Sequence, residues 1–174
     1  MAEAVAAPTP ASAPLTPGAL ARGLALLVPA ALLAGAFGSQ YFGHLFPCEM
    51  CWWQRYAHLA ALVLALLAFT APAASSLSRA LVLLAAAAIA VSGGIGAYQA
   101  GVELKIFEGF TTCTTTAHGN STAELLKQIM AAPVIRCDQV QWSFLGISMA
   151  GWNAIVSLVS AAVIAVLVMR DRRI

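Results

Sequence analysis

The chain has 174 residues and a mean hydropathy of +0.85, with 61% hydrophobic and only 9% charged residues. So few polar residues cannot cover a water-soluble globule of this size, and the composition therefore predicts an integral membrane protein. The net charge is only +2 and the sequence holds no dense basic run, which argues against nucleic acid as a partner.

The N-terminal segment predicts a tail followed by a membrane helix. Residues 1–18 are rich in Ala, Pro, Thr and Ser, so they cannot bury enough apolar surface to order themselves, and we expect a disordered tail. The apolar segment at about 19–42 is long enough to cross a membrane at about 1.5 Å per residue. A cleaved signal peptide is the alternative, but this run is longer than the usual apolar core of about 7–15 residues.

Three further apolar segments predict membrane helices at about 52–71, 79–98 and 146–169. With the first span they predict one membrane domain over 19–170, an all-α bundle of four transmembrane helices. Four spans place both chain termini on the same side of the membrane. The two loops on the opposite, outer side are predicted at 43–51 and 99–145.

Two smaller patterns lie in the second half of the chain. Gly93, Gly94 and Gly96 favour close helix packing over a ligand role, because small residues let helix backbones approach in membranes. In the second outer loop, Ser121 and Glu124 form a capping-box pattern, which predicts a short amphipathic helix. Its apolar residues recur at helical spacing, and Pro133 is expected to end it; they are Leu125, Leu126, Ile129 and Met130.

Arginine positions predict which side faces the cytoplasm. The side with the termini and the turn near residue 75 is rich in arginine, with only Asp171 opposing it nearby, so the positive-inside rule makes that side cytoplasmic. All four cysteines then lie on the opposite side, where disulfides persist. The arginines are Arg22, Arg79, Arg170, Arg172 and Arg173.

Four cysteines form two separated pairs, Cys48 with Cys51 and Cys113 with Cys137. This arrangement indicates redox or disulfide chemistry rather than scattered core thiols. Structural zinc sites usually bring two tight Cys-x-x-Cys units, so the wide second pair argues against zinc. The second pair could also be a purely structural disulfide worth about 3 kcal/mol by loop entropy.

The first pair lies where a membrane helix is predicted to begin. Pro47 suits the first turn of a helix, and a thiol near a helix N-terminus is stabilised as the reactive thiolate. Arg55 lies four residues after Cys51 and shares its helix face, so a cation is expected near the thiol. A structural disulfide with an arginine that extends to the lipid headgroups is the alternative.

Other side chains near the pair have two interpretations. Trp52 and Trp53 suit an interfacial aromatic belt, although aromatic groups beside a thiol pair also suit a flat hydrophobic ligand. His58 is an ionisable residue inside a predicted span, which makes it a functional candidate. A neutral imidazole bonded within the bundle is an equally good interpretation of His58.

Two motifs and the cysteine order resemble the DsbB family of bacterial disulfide bond formation proteins. The first motif follows the first span, and the second follows Cys137 and runs into the last span. With Cys113 in the long loop, the resemblance covers about residues 20–170. The motifs are Pro47-Cys48-x-x-Cys51-x-x-x-Arg55 and Gln141-Trp142-x-Phe144-Leu145-Gly146-x-x-Met149-x-x-Trp152.

The resemblance implies a membrane enzyme that oxidises a soluble periplasmic thioredoxin-like protein similar to DsbA and passes the electrons to a membrane quinone, for which we expect ubiquinone rather than menaquinone. It implies that the partner's thiolate attacks Cys113, and that Cys137 resolves that bond or pairs with Cys48. Cys51 is then the thiolate that faces the quinone, with Arg55 supporting the ring. Such a protein lies in the bacterial inner membrane, with both termini cytoplasmic and both cysteine loops periplasmic.

The chain departs from the family pattern at two places. The family often carries a histidine near the outer end of the third helix, where this chain has Glu103, so either Glu103 substitutes or the quinone site is built differently. Residues 114–116 are all threonine and lack the apolar residue expected for docking a partner.

Two other functions would also use four cysteines in a small membrane bundle. Vitamin K epoxide reductase relatives are quinone-linked and have two cysteine pairs, but their loop pair precedes the membrane Cys-x-x-Cys, whereas here the Cys-x-x-Cys comes first. A non-catalytic membrane scaffold with two structural disulfides is the second alternative. It predicts that removing a cysteine affects only stability.

Overall fold

A computed structural model describes residues 16–109, 121–123 and 136–171. Within these residues the fold contains four α-helices and one short antiparallel hairpin, which confirms the predicted all-α fold with four helices. The elements are α1 (Pro17–Tyr41), α2 (Glu49–Thr70), α3 (Ser76–Glu103), β1 (Ser143–Phe144), β2 (Ile147–Ser148) and α4 (Met149–Arg170).

Three of the described helices, α1, α3 and α4, are long and apolar enough to cross a membrane. Helix α2 is not among them, although it lies on the span predicted at about 52–71. Its first half carries Gln54, Arg55 and His58, which lower its mean hydropathy. A membrane crossing by α2 therefore stays a prediction.

Side-chain caps lie at the starts of α1, α3 and α4. Thr16, Ser75 and Ser148 each accept a hydrogen bond from the backbone N–H three residues later, at 3.2, 3.1 and 3.1 Å. Such caps satisfy backbone donors that have no partner within the helix. As a result α1 begins two residues before the predicted residue 19, and α3 begins three residues before the predicted residue 79.

The hairpin was not predicted, and it delays the start of α4. Ser143 pairs with Ser148, and Phe144 pairs with Ile147. The two residues between them, at 145 and 146, have φ angles of 53° and 78°, as a two-residue hairpin turn of type I′ requires. Helix α4 consequently begins at residue 149, rather than at the predicted residue 146.

The helices pack as a bundle in which α3 contacts α2 and α4, and α1 contacts the same two helices. The Cβ of an alanine at Gly93 would lie 2.9 Å from the Leu158 side chain, and at Gly96 it would lie 2.9 Å from the Ala150 carbonyl oxygen. Close packing is thus confirmed for these two glycines. Gly94 faces open space, so packing does not explain it.

A core of mostly small side chains fills the end of the bundle where α1 begins and α4 ends. It is built from the first halves of α1 and α3 and the second halves of α2 and α4. Small side chains allow close backbone approach. Its buried members are Ala21, Ala25, Ala61, Ala65, Ala68, Val82, Ala85, Ala86, Ile89, Ala161, Ile164 and Val168.

Several predicted features lie outside the described residues. They are residues 1–15 of the predicted tail, Cys113, the predicted amphipathic helix beyond residue 123, and the last arginines of the chain at 172 and 173. The other three cysteines lie at the end of the bundle opposite the alanine-rich core, where α2 begins and α3 ends.

Candidate active site

The Cys-x-x-Cys pair lies at the N-terminus of α2. Cys48 is the N-cap residue and Cys51 lies in the first helical turn, with their Sγ atoms 2.9 Å apart. That separation exceeds the disulfide bond length of about 2.05 Å, and both are free thiols. Because the helix N-terminus carries partial positive charge, it favours a thiolate at this position.

A third thiol, Cys137, joins this pair from the segment between α3 and α4. It shares a hydrogen bond with Cys48 and is also bonded by the backbone N–H groups of Met50 and Glu49. The Cys48 bond, followed by these two N–H groups, lowers the pKa of Cys137 to about 6. The same bond is the main cause that raises the pKa of Cys48. In this arrangement the proton stays on Cys48 and the negative charge lies on Cys137.

Ion pairs next to Cys137 attach its loop to the end of α3. Asp138 accepts a hydrogen bond from Lys105 Nζ at 2.8 Å and one from Arg136 Nη2 at 2.7 Å. The Lys105 contact, followed by that of Arg136, lowers the pKa of Asp138 to about 2. The carboxylate therefore stays charged above about pH 3 and fixes the neighbouring Cys137 near α2 and α3.

Gln99 of α3 contacts both sulfurs of the Cys-x-x-Cys pair. Its side-chain nitrogen lies 3.6 Å from the Sγ atoms of Cys48 and Cys51, and it also lies 3.3 Å from Oε1 of Glu103. The side-chain oxygen of Gln99 accepts a 2.7 Å hydrogen bond from Gln54 Nε2. A neutral amide donates to a thiolate without titrating itself, so Gln99 stabilises negative charge on either sulfur.

Arg55 is buried beside the pair, with only 5% of its surface exposed. Its guanidinium donates to the side-chain oxygen of Gln40 and, at 2.9 Å, to the carbonyl oxygen of Ala36, both on α1. It also lies 4.8 Å from the ring centre of Phe37 and 5.0 Å from that of Trp52. These contacts hold a cation one helical turn beyond Cys51.

A cavity of about 650 Å³ opens beside the pair and extends between the four helices. Its volume falls in the range of about 300–1,000 Å³ that is typical of ligand sites. One wall is an apolar face of α1 that includes Ala31, Leu32 and Leu33. Such a space fits a flat, mostly apolar ring that carries polar oxygens. The polar groups that reach it include Cys51, Gln54, Arg55, His58, Gln99 and Asn153.

A buried polar network continues from Gln99 toward the centre of the bundle. Gln54 donates to Gln99 and accepts a 2.7 Å hydrogen bond from Asn153 Nδ2. Asn153 Oδ1 lies 2.9 Å from Nε2 of His58. Apart from His58, these residues were not predicted from the sequence as part of a site. Their signal is polarity within an apolar helix, which marks intramembrane functional candidates.

Aromatic residues of the motif that follows Cys137 pack the hairpin against α4. The indole N–H of Trp152 donates to the carbonyl oxygen of Phe144 at 3.1 Å. The Phe144 ring lies 6.2 Å from Trp142 and 6.4 Å from Trp152, measured between ring centres. Trp142 and Trp152 both line the cavity. The motif therefore closes the cavity where α4 begins.

Four of the five predicted site residues lie in the described part of the chain. The structure places Cys48, Cys51 and Cys137 together, and Cys51 and Arg55 line the same cavity. Cys113 lies outside the described residues. Glu103 was named above as a possible substitute for the histidine of the family, and it also lines the cavity.

Comparisons with known proteins place this geometry in context. Residues 19–167 match the family model described as disulfide bond formation protein DsbB. The disulfide bond formation protein B of Marinobacter nauticus is 33% identical over 141 residues, an alignment that covers 76% of this chain and 81% of that protein. No solved structure matches the chain significantly. The family match includes all four cysteines and most of each helix.

Proposed function

Since the chain belongs to the DsbB family of disulfide bond formation proteins, we propose that it reoxidises a soluble periplasmic thioredoxin-like protein, similar to DsbA, and passes the electrons to membrane quinone. One observation carries the proposal. Within the Cys48–Cys51 pair, the Cys48 thiol contacts Cys137, and a ligand-sized cavity opens beside both thiols. A purely structural disulfide needs neither the third thiol nor the cavity.

The loop cysteines form the protein-facing half of the reaction. The thiolate of the reduced partner attacks Cys113 of a Cys113–Cys137 disulfide, which forms a mixed disulfide and releases the Cys137 thiolate. The second thiolate of the same partner then attacks the partner's cysteine in this mixed disulfide. The oxidised partner is released, and Cys113 is left reduced. The backbone N–H groups of Met50 and Glu49 also lower the pKa of Cys137, and they remain when Cys48 lies in its disulfide, which supports Cys137 as a good leaving group.

Exchange between Cys137 and Cys48 joins the two halves. The Cys137 thiolate attacks Cys48 of the Cys48–Cys51 disulfide, which forms a Cys48–Cys137 bond and leaves Cys51 as a thiolate. Cys113 then attacks Cys137, which restores the loop disulfide and releases Cys48. When bound, a quinone accepts the two electrons and two protons that are released as Cys48 and Cys51 re-form their disulfide.

Residues around the cavity would hold the quinone and the thiolate. Arg55 supplies a fixed positive charge close to Cys51, and Gln99 donates to its sulfur. The apolar face of α1 lines the same cavity, and apolar surroundings strengthen both electrostatic contacts. We propose ubiquinone as the acceptor, rather than menaquinone.

We further propose that α2 crosses the inner membrane with the other three helices, so that both termini are cytoplasmic. Arg22 and Arg79 lie at the bundle end opposite the cysteines, which supports this orientation by the positive-inside rule. The cysteine end then faces the periplasm, where its thiols meet an oxidising compartment and a soluble partner.

The test is oxidation of a reduced thioredoxin-like protein by the purified chain in lipid nanodiscs, with ubiquinone or menaquinone added. We expect oxidation that depends on quinone and is lost when any one cysteine is replaced by serine. Ser78→Ala is the control, because Ser78 is buried at the opposite end of the bundle. A non-catalytic scaffold predicts no quinone-dependent oxidation by any variant, and that result would reject the proposal.

A further inference from the structure

Three side-chain amides, those of Asn153, Gln54 and Gln99, form a chain of hydrogen bonds that ends at the thiol pair. Asn153 Nδ2 lies 2.7 Å from Gln54 Oε1, and Gln54 Nε2 lies 2.7 Å from Gln99 Oε1. The three amides come from different helices, α4, α2 and α3 respectively. Each amide has an oxygen that only accepts and an NH2 group that only donates, so the chain has a direction.

Ser92 sets this direction at the far end of the chain. Its hydroxyl donates at 3.1 Å to the backbone carbonyl oxygen of Gln54, so the hydroxyl oxygen is left to accept. Asn153 Nδ2 lies 3.2 Å from that hydroxyl oxygen and 3.3 Å from the Ser92 carbonyl oxygen, which can only accept. A reversed Asn153 amide would place oxygen against oxygen, so its NH2 group faces Ser92 and Gln54.

The direction set at Ser92 is passed along the chain to the sulfurs. Because Gln54 Oε1 accepts from Asn153, Gln54 Nε2 donates to the oxygen of Gln99. The NH2 group of Gln99 is then the end that faces the Cys-x-x-Cys pair, with its nitrogen 3.6 Å from each Sγ atom. Gln54 and Gln99 are both buried, which makes a reversed amide with unmatched contacts costly.

We propose that Asn153 is a positioning residue for the thiol pair, because through Gln54 it holds the NH2 group of Gln99 toward the sulfurs. The inference rests on the proposed function, in which Cys51 leaves as a thiolate when its disulfide with Cys48 opens. A donor already aimed at that sulfur stabilises the charge as it forms. None of the three amides titrates, so the direction of the chain does not change with pH.

Without Asn153, the amides of Gln54 and Gln99 are free to turn. The nitrogen of Gln99 can still face a thiolate, but its carbonyl oxygen can now face a protonated thiol and accept a hydrogen bond from S–H. The released chain therefore stabilises the protonated form, which the intact chain does not. One neutral hydrogen bond corresponds to about twofold to tenfold in proton affinity, or about 0.3–1 pH unit.

The test is the pH midpoint for alkylation of Cys51 by iodoacetamide in the fully reduced chain in lipid nanodiscs, without quinone or partner. Asn153→Leu should raise this midpoint by about 0.3–1 unit. Ser157→Ala is the matched control, because it removes a 3.1 Å hydrogen bond to Oδ1 of the same Asn153 amide but leaves both Ser92 acceptors in place. Its midpoint should not move.

A double variant tests whether Asn153 acts through the chain of amides. In Gln99→Met the donor is absent, so adding Asn153→Leu should shift the midpoint no further. An effect through His58, which also contacts Asn153, would persist in that background. If Asn153→Leu does not fold, Gln54→Met cuts the same chain at its middle residue and should give the same rise. All variants keep the titratable and charged groups around Cys51, which are Cys48, Arg55, Glu103 and Cys137.

The outcomes separate this inference from the proposed function. A midpoint that stays in place in both Asn153→Leu and Gln54→Met would overturn the inference. So would an equal rise in Ser157→Ala, or a further rise when Asn153→Leu is added to Gln99→Met. The midpoints report thiolate formation alone. If they move as expected while the chain shows no quinone-dependent oxidation, the proposed function is wrong and the role of Asn153 in orienting Gln99 stands.

Discussion

Removing the Cys48 thiol should raise the pKa of Cys137. The hydrogen bond with Cys48 is the main cause that lowers the pKa of Cys137 from 9.0 to about 6. A hydrogen bond to a charged group contributes about 1.5–3 kcal/mol, and one pKa unit corresponds to about 1.36 kcal/mol. Cys48→Ala should therefore raise the pKa by about one to two units, to between about 7 and 8. The N–H groups of Met50 and Glu49 remain and account for the rest of the lowering.

The assay is alkylation of the fully reduced chain by iodoacetamide between pH 5 and 10, with Cys137 followed by peptide mass spectrometry. Because the pKa is depressed in the folded protein, the reactive thiolate is lost as pH falls through about 6 in the unchanged chain. In Cys48→Ala it should be lost at the higher midpoint. The midpoint is a better measure than the rate at one pH, since thiolate nucleophilicity rises with pKa and offsets part of the effect.

Cys48→Ser provides a matched control, because serine keeps a hydrogen-bond donor at the same position. Its Cys137 midpoint should stay closer to that of the unchanged chain than the alanine variant does. An unaltered midpoint in Cys48→Ala would refute the reasoning. Equal midpoints in the serine and alanine variants would show that hydrogen-bond donation by residue 48 is not the cause.

Three further predictions concern the thiol relay and the packing of the bundle. Purified Cys48→Ser protein should gain a visible absorption band when ubiquinone is added, because the remaining thiolate of the pair faces the cavity; no band in quinone-replete protein would contradict that role. In Cys137→Ser, the Cys113 thiolate should attack the disulfide of the oxidised soluble partner, and the mixed disulfide should persist because residue 137 has no thiol; a mixed disulfide found by mass spectrometry only at another cysteine would overturn this assignment. Gly93→Val should destabilise the bundle by about 1–3 kcal/mol through overpacking against α4. Gly94→Val, which faces open space, should not; equal loss of thermal stability in both variants would reject the packing explanation.

The helices and the thiol pair were predictable because their signals are local. Long apolar segments predict membrane helices by length and composition alone, and α1, α3 and α4 meet those criteria. The Cys-x-x-Cys pair was predicted near the start of α2, where Cys48 is indeed the N-cap, although Pro47 precedes the helix and does not lie in its first turn as predicted. The match to the DsbB family confirms the resemblance that was carried by these motifs.

The hairpin and the arrangement of Cys137 could not be predicted in the same way. Leu145 and Gly146 both adopt positive φ, but leucine rarely does so, and the pair lacks the usual Asn-Gly turn signal. Cys137 reaches Cys48 because its neighbour Asp138 pairs with Lys105, which is distant in sequence. Such contacts depend on how loops fold onto the bundle, and neither periodicity nor spacing reports them.

The polar network explains why α2 is the least apolar of the described helices. Gln54, Arg55 and His58 find partners on α3, α1 and α4 respectively, so the polar groups that make α2 a poor membrane helix alone are paired across the bundle. Hydropathy averages over a segment and cannot register this pairing. Since an unpaired polar group in hydrocarbon is costly, stable insertion of α2 should depend on assembly with its neighbours. The residues that form the candidate site therefore also hold α2 against its neighbours.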